Sequence, residues 1–159
     1  MKAPFVKVFM HENRNRHEAR ELAVSTLYAL DFNNSLSTDI DWTLLPGKTE
    51  EEMALIPDDV LFFARYLVKG TLEHIGQIDS LINKYSINRP LDNINLVDRN
   101  ILRVSVFSLL YNKEVHPNIV IDEAVKLSQD LSSDVTYKFI NGLLDNLRKK
   151  EIENDTTQN

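Results

Sequence analysis

The chain contains no cysteine, which excludes disulfides and thiolate metal sites and fits a reducing, cytoplasmic setting. Glycine and proline are scarce, 4 and 5 in 159 residues, so there is little material for tight turns. No segment alternates apolar and polar residues cleanly enough to serve as a half-buried strand. No apolar run reaches the roughly 20 residues that span a bilayer, so no membrane partner is expected. The apolar residues 5–10 enclose Lys7 and lead to no small-residue cleavage site, which makes them a poor signal peptide. Positive charge is also short: 18 Lys and Arg against 24 Asp and Glu give a net charge of −6. Nucleic-acid binders are commonly basic overall. A polyanion site here must therefore concentrate its cations locally, while the acidic remainder suits a basic protein partner. Catalytic signatures are missing too. There is no glycine-rich phosphate loop, no His-Glu-x-x-His and no Gly-x-Ser-x-Gly. The four histidines, His11, His17, His74 and His116, show no metal-ligand spacing. The expectation is a protein with no enzyme activity, no metal and no cofactor.

What is present is helical periodicity. Residues 97–111, centred on Ile101-Leu102-Arg103-Val104, run without Gly or Pro, and beyond Arg103 only Ser105 and Ser108 break the apolar surface. A helix apolar on nearly all sides is a buried one, so other helices must wrap it. Pro117 opens a second segment, as a residue tolerated at a helix start, and Ile121, Ala124, Val125, Ser128 and Leu131 follow at helical spacing. A third places Phe139, Ile140, Leu143, Leu144 and Leu147 on one face and Lys138, Asn141, Asp145 and Arg148 on the other. On this pattern Phe139 reads as core filler. Gly142 sits mid-helix, where it costs about 1 kcal/mol relative to Ala; close approach of a neighbouring backbone would explain it.

Near the start, Ala19, Leu22, Ala23, Leu27 and Leu30, with Thr26 filling the gap, form one stripe from about residue 12. Arg16 and Arg20 lie opposite it, one turn apart, with His17 beside them and Arg14 at the entry. Like charges at i, i+4 weaken a helix by a few tenths of a kcal/mol. Glu12 can offset Arg16, but no acid stands three or four places from Arg20. These four residues make a compact cationic strip. Such a strip could follow an RNA backbone, because guanidinium groups bind phosphate and stack on bases. A solvated helix face is the plainer alternative. Residues 33–57 carry the turn signals Asn33-Asn34-Ser35 and Pro46-Gly47, with Trp42 expected to pack onto the core and a short helix near 50–56. One stripe then runs from Val60 to Tyr85, kinked or split at Gly70 or Gly76, until Asn88-Arg89-Pro90 ends it. The acids Asp98, Asp122 and Glu123 are explained by helix capping and by ion pairs to Arg99 or Arg103.

At these residues the chain resembles a known family. Val-Asp-Arg-Asn-Ile-Leu-Arg at 97–103, Val-Ile-Asp-Glu-Ala-Val at 120–125, Lys-Phe-Ile-Asn-Gly-Leu-Leu-Asp at 138–145 and Ala19-Arg20-x-x-Ala23-x-x-x-Leu27-Tyr28 are similar to the NusB family of bacterial transcription antitermination factors. The matches are in order and cover roughly residues 14 to 148. The resemblance implies an all-α fold, a compact bundle of about six to seven helices in two packed helical subdomains. It places one domain at 12–150, between an N-terminal arm at 1–11 (packed locally or disordered) and a polar tail at 151–159. It implies binding of boxA-type single-stranded RNA from ribosomal RNA leaders together with NusE, a small-subunit ribosomal protein, within the RNA polymerase antitermination complex. Carried over by motif, the RNA-binding residues are Arg14, Arg16, His17, Arg20 and Lys138. Glu18 and His17 stand where relatives often carry further basic residues, so the strip is thinner here. Lys2 and Lys7 in the arm can restore some charge. Some family members self-associate, which leaves a homodimer open. The alternative is a helical module that holds a basic ribosomal protein with little RNA binding of its own. A NusB-like domain also precedes the catalytic domain of some ribosomal-RNA methyltransferases, but nothing after Arg148 could hold a cofactor-binding sheet.

Overall fold

The computed structural model describes residues 3–37, 39–133 and 135–153, with side chains from Arg14 onward. Among them every regular element is helical: α1 (Ala3–Phe32), α2 (Glu50–Ala54), α3 (Asp58–Glu73), α4 (Ile75–Tyr85), α5 (Leu96–Tyr111), α6 (Pro117–Leu131) and α7 (Tyr137–Leu147). A 3-10 turn (Leu91–Asn93) precedes α5, and a π-helical turn (Arg148–Glu153) follows α7. The all-α expectation holds. Helix α1 starts well before residue 12, where the apolar stripe begins; the side chains of Lys2, Lys7 and Glu12 lie outside the described ones. The chain forms two compact units, Met1–Lys69 and Gly70–Asn159, and the boundary falls inside α3.

In the first unit α1 buries Ala19, Leu22, Ala23, Val24, Thr26, Leu27 and Leu30, the expected stripe, in which Thr26 fills the gap, with Val24 added. The Thr26 hydroxyl donates to the Leu22 carbonyl at 2.7 Å, which makes a polar side chain tolerable there. Helix α2 is set by a capping box: Thr49 Oγ1 accepts from the Glu52 amide, and the Glu52 carboxylate accepts from the Thr49 amide. In the loop before it Leu45 is the buried anchor, while Trp42 is only half-buried. The expectation for Trp42 is therefore corrected. Leucine offers an all-apolar side chain to seal, whereas the indole carries an N–H that needs a partner.

In the second unit α5 is the inner helix, contacting α4, α6 and α7. Every residue from Asn100 to Leu109 is buried. Its two serines are satisfied within the helix, Ser105 donating to the Ile101 carbonyl at 2.7 Å and Ser108 to the Val104 carbonyl at 3.0 Å. Asn95 caps α5, accepting from the Asp98 amide at 2.9 Å and donating to the Asp98 carboxylate at 2.6 Å. Asp98, only 1% exposed, also accepts from Ser128 of α6. Arg103 pairs with Asp79 on α4 through a two-pronged contact of 2.8 and 3.0 Å. The face α6 buries is Val120, Ile121, Ala124, Leu127 and Ser128, so Leu131 and Val125 sit further out than the spacing indicates.

The long stripe from Val60 to Tyr85 is broken at His74, where the backbone leaves helical geometry (φ −117°, ψ 19°), and not at either glycine. The His74 ring stacks on Tyr111 with centroids 4.1 Å apart, which holds the corner. Among the described residues the left-handed backbone positions fall at Gly47 (φ 81°) and at two asparagines, Asn34 (φ 54°) and Asn88 (φ 62°). Helix α4 ends at Tyr85, ahead of the Asn88-Arg89-Pro90 signal. The glycine expectation is corrected as well. A Cβ on Gly142 would meet nothing within 4 Å, whereas one on Gly70 would fall 2.1 Å from the Phe107 ring. The close approach occurs at Gly70, and nothing in the structure explains Gly142.

Candidate nucleic-acid interface

The site of the first unit lies where α1 faces the start of α3. Residues four apart on α1 share a face, so Arg16 and Arg20 project together. Both meet Phe63, their guanidinium carbons 4.0 and 5.8 Å from its ring centroid. Phe63 is 8% exposed and stacks on Tyr66 at 6.0 Å, so the ring beneath the arginines is fixed by packing. A guanidinium stacked on a ring keeps its N–H groups in plane at the edge. Arg16 is therefore oriented for an oxyanion at a reduced entropic cost of ordering.

The remaining predicted residues are placed differently. Arg14 is exposed, but it lies about 200° around the helix from Arg16. His17 is half-buried and places Nε2 3.0 Å from the Glu21 carboxylate. Lys138 is exposed at the start of α7, in the second unit. Its neighbour Phe139 is not core filler: it is only half-buried, and the Arg89 guanidinium lies 4.8 Å from its ring centroid. One helical turn of 3.6 residues leaves the edge of an apolar stripe half-open, and Phe139 sits on that edge. Arg89 comes from the segment between α4 and α5, just after left-handed Asn88, so no local spacing could have paired it with Phe139.

Next to Arg16 is a cavity of about 580 Å³ lined by Asn15, Arg16, Asp58, Asp59, Phe62 and Phe63. Asn15 is buried and donates to Asp59 Oδ2 at 2.6 Å. Phe62 is 77% exposed. Sequence reasoning missed both phenylalanines, although a signal was available. Phe63 falls between Val60 and Leu67 at helical spacing, which leaves adjacent Phe62 off the stripe and facing solvent.

Guanidinium groups interleaved with aromatic rings are the makings of a single-stranded nucleic-acid platform. The chain matches the model of the NusB family over residues 17–149. It belongs to the NusB family. The transcription antitermination protein NusB of Treponema denticola is 38% identical over 135 residues, covering 85% of this chain and 96% of that protein. Among solved structures, NusB of T. maritima superposes with a TM-score of 0.70 at 25% identity, covering 85% of this chain and 91% of that one. A NusB crystallised with NusE and double-stranded RNA gives a TM-score of 0.67 at 28% identity, covering 86% and 97%. The NusB match begins at His17, so Arg14 and Arg16 lie just outside it and Arg20 and Lys138 within. Among the described residues no helix of this NusB-family chain is long and apolar enough to cross a membrane.

Proposed function

We infer that this chain is a cytoplasmic transcription antitermination factor, without catalytic activity, that binds boxA-type RNA of ribosomal RNA leaders together with NusE. Its place is in the RNA polymerase antitermination complex. Family membership supports the reading, as does the related NusB crystallised with NusE and RNA. The observation that carries it is the pair of guanidinium groups, Arg16 and Arg20, laid over the Phe63 ring. This arrangement offsets an unfavourable overall charge of −6 by gathering cations at one place. The working domain is residues 12–150, with 1–11 as an arm and 151–159 as a tail. Arg14 and Lys138 supply further phosphate contacts, and His17 contributes charge only when protonated beside Glu21.

Fluorescence anisotropy with a boxA-type single strand, at several salt concentrations and with or without NusE, tests the reading. Four cationic contacts predict that log affinity falls with log salt at a slope of about −2.8, at about −0.7 per contact on a single strand. Arg16→Ala with Arg20→Ala should bring the slope to about −1.4 and leave the helical circular-dichroism signal unchanged. Equal affinity and slope for wild type and the double variant would remove the strip from the RNA site. NusE binding with no RNA contribution at any salt would favour the alternative, an acidic module that holds a basic ribosomal protein.

A further inference from the structure

The cavity beside Arg16 holds two carboxylates, which a phosphate-binding surface has reason to avoid. Asp58 and Asp59 stand within one cavity lining with Arg16, and a polyanion drawn to Arg16 is repelled by both acids. Both acids stand in the first turn of α3, where the helix dipole favours them, and both also face the cavity, where they can meet a donor in place of phosphate. Asp59 already accepts from Asn15. The Asp58 carboxylate has no hydrogen bond or ion pair among the described residues, so both of its oxygens can accept. Phe62 presents an exposed aromatic ring in the same lining.

We propose that this cavity takes one unpaired guanine base of the bound RNA, stacked on Phe62 and read on its donor edge by Asp58. The inference rests on the RNA-binding reading above and names the base that this part of the site selects. Among the four bases, only guanine sets an N–H and an NH₂ side by side, matching the two oxygens of one carboxylate. Adenine and cytosine place an acceptor nitrogen next to their amino group, and uracil flanks its single N–H with two carbonyls. Either arrangement turns a lone pair toward Asp58. Guanine's other edge carries the O6 and N7 acceptors, the pair that arginine recognises, and Arg16 shares the lining. Stacking on Phe62 supplies affinity that is indifferent to base identity, so selection falls to the carboxylate. With two acids against one arginine the lining would also accept a basic side chain of a protein partner; that occupant predicts loss of NusE binding in Asp58→Asn and no preference among bases.

The test compares three labelled 12-nucleotide uridine strands, one with a single central guanosine, one with inosine there, and one of uridine alone. Inosine lacks only the 2-amino group of guanine. Wild-type full-length chain should bind the guanosine strand about tenfold more tightly than the inosine strand, within the range of a good two-pronged base contact. Asp58→Asn should abolish that preference while the uridine strand still binds. Phe62→Ala should weaken the guanosine and inosine strands alike. Both side chains are exposed, and an unchanged circular-dichroism spectrum confirms the fold. A purely electrostatic role for Asp58 would raise affinity for all three strands equally, which the ratio does not register. Equal affinity of wild type for guanosine and inosine strands overturns the proposal but leaves RNA binding standing, provided that Arg16→Ala with Arg20→Ala still weakens the uridine strand. A guanosine preference that survives Asp58→Asn, or loss of NusE binding without RNA in that variant, also overturns it. Failure of every strand to bind removes the RNA-binding reading along with it.

Discussion

Gly70 and Gly142 both occupy helix interiors, yet alanine at the two positions should change stability in opposite directions. A Cβ on Gly70 would lie 2.1, 2.3 and 2.8 Å from three atoms of the Phe107 ring. Carbon atoms rest about 3.5–4.0 Å apart, so the ring would have to retreat by roughly 1.4 Å. It has little room to do so, being buried and stacked against His74 and Tyr111 at centroid distances of 6.4 and 5.6 Å. Overpacking of this kind costs about 1–3 kcal/mol, toward the upper end for a ring that cannot swing away. The helix regains about 1 kcal/mol from losing a glycine. Gly70→Ala should therefore destabilise by about 1–2 kcal/mol, lowering the melting temperature by about 3–6 °C for a chain of this size. At Gly142 the same methyl group meets open space, and only the propensity gain of about 0.5–1 kcal/mol remains. Urea unfolding followed by far-ultraviolet circular dichroism measures both. Phe107→Leu in the Gly70→Ala background should recover part of the loss, because a smaller side chain yields to the methyl. A Gly70→Ala protein as stable as wild type, or a double variant that shows no coupling, would refute the steric argument.

Two further outcomes follow from the second unit. Leu102 is fully buried on the inner helix, so Leu102→Ala should cost about 2–5 kcal/mol in the same unfolding assay. RNA affinity of the fraction that remains folded should be unchanged. The pH dependence turns on Glu151, whose carboxylate accepts from the Tyr85 hydroxyl and lies 3.0 Å from Lys84 Nζ. The Tyr85 hydrogen bond first, and the contact with Lys84 second, hold the Glu151 pKa below its ordinary range. A depressed carboxylate stabilises the folded chain above the free-glutamate value of about 4.3. That stabilisation is lost as pH falls through the lower folded value. Lys84, through Glu151, and Tyr85, through burial and then Glu151, are shifted upward, so their contribution is present below about pH 10 and lost above their folded values. Urea titrations at several pH values should show a shallower acid limb for Glu151→Gln than for wild type. Parallel limbs would show that Glu151 does not anchor the turn after α7.

The cationic residues of the candidate site were legible in the sequence, but their setting was not. Arg16 and Arg20 stand out because helical spacing places them on one face without an acid one turn from Arg20. That Phe63 lies beneath both depends on α3 packing beside α1, and no local periodicity encodes it. Phe139 shows the same limit from the other side. Its spacing matches the apolar stripe of α7, but only the segment carrying Arg89 decides that it stays half-open as a stacking partner.

The sequence by itself determined whatever depends on neighbours within a helical turn. The absence of strand-like alternation, the stripes of α1 and α7, the capping box at Thr49, the start at Pro117 and the greasy length of α5 are all relations over one to four residues. Near neighbours specify them, although packing supplies most of their stability, and the ordered family motifs rest on the same local patterns. Tertiary structure decided every relation between residues distant along the chain: the Arg103–Asp79 pair, the Phe107 ring against Gly70, and the rings under the arginines. Such contacts are chosen by which helix faces meet. That choice is settled by burial summed over whole elements, not by the identity of any one residue.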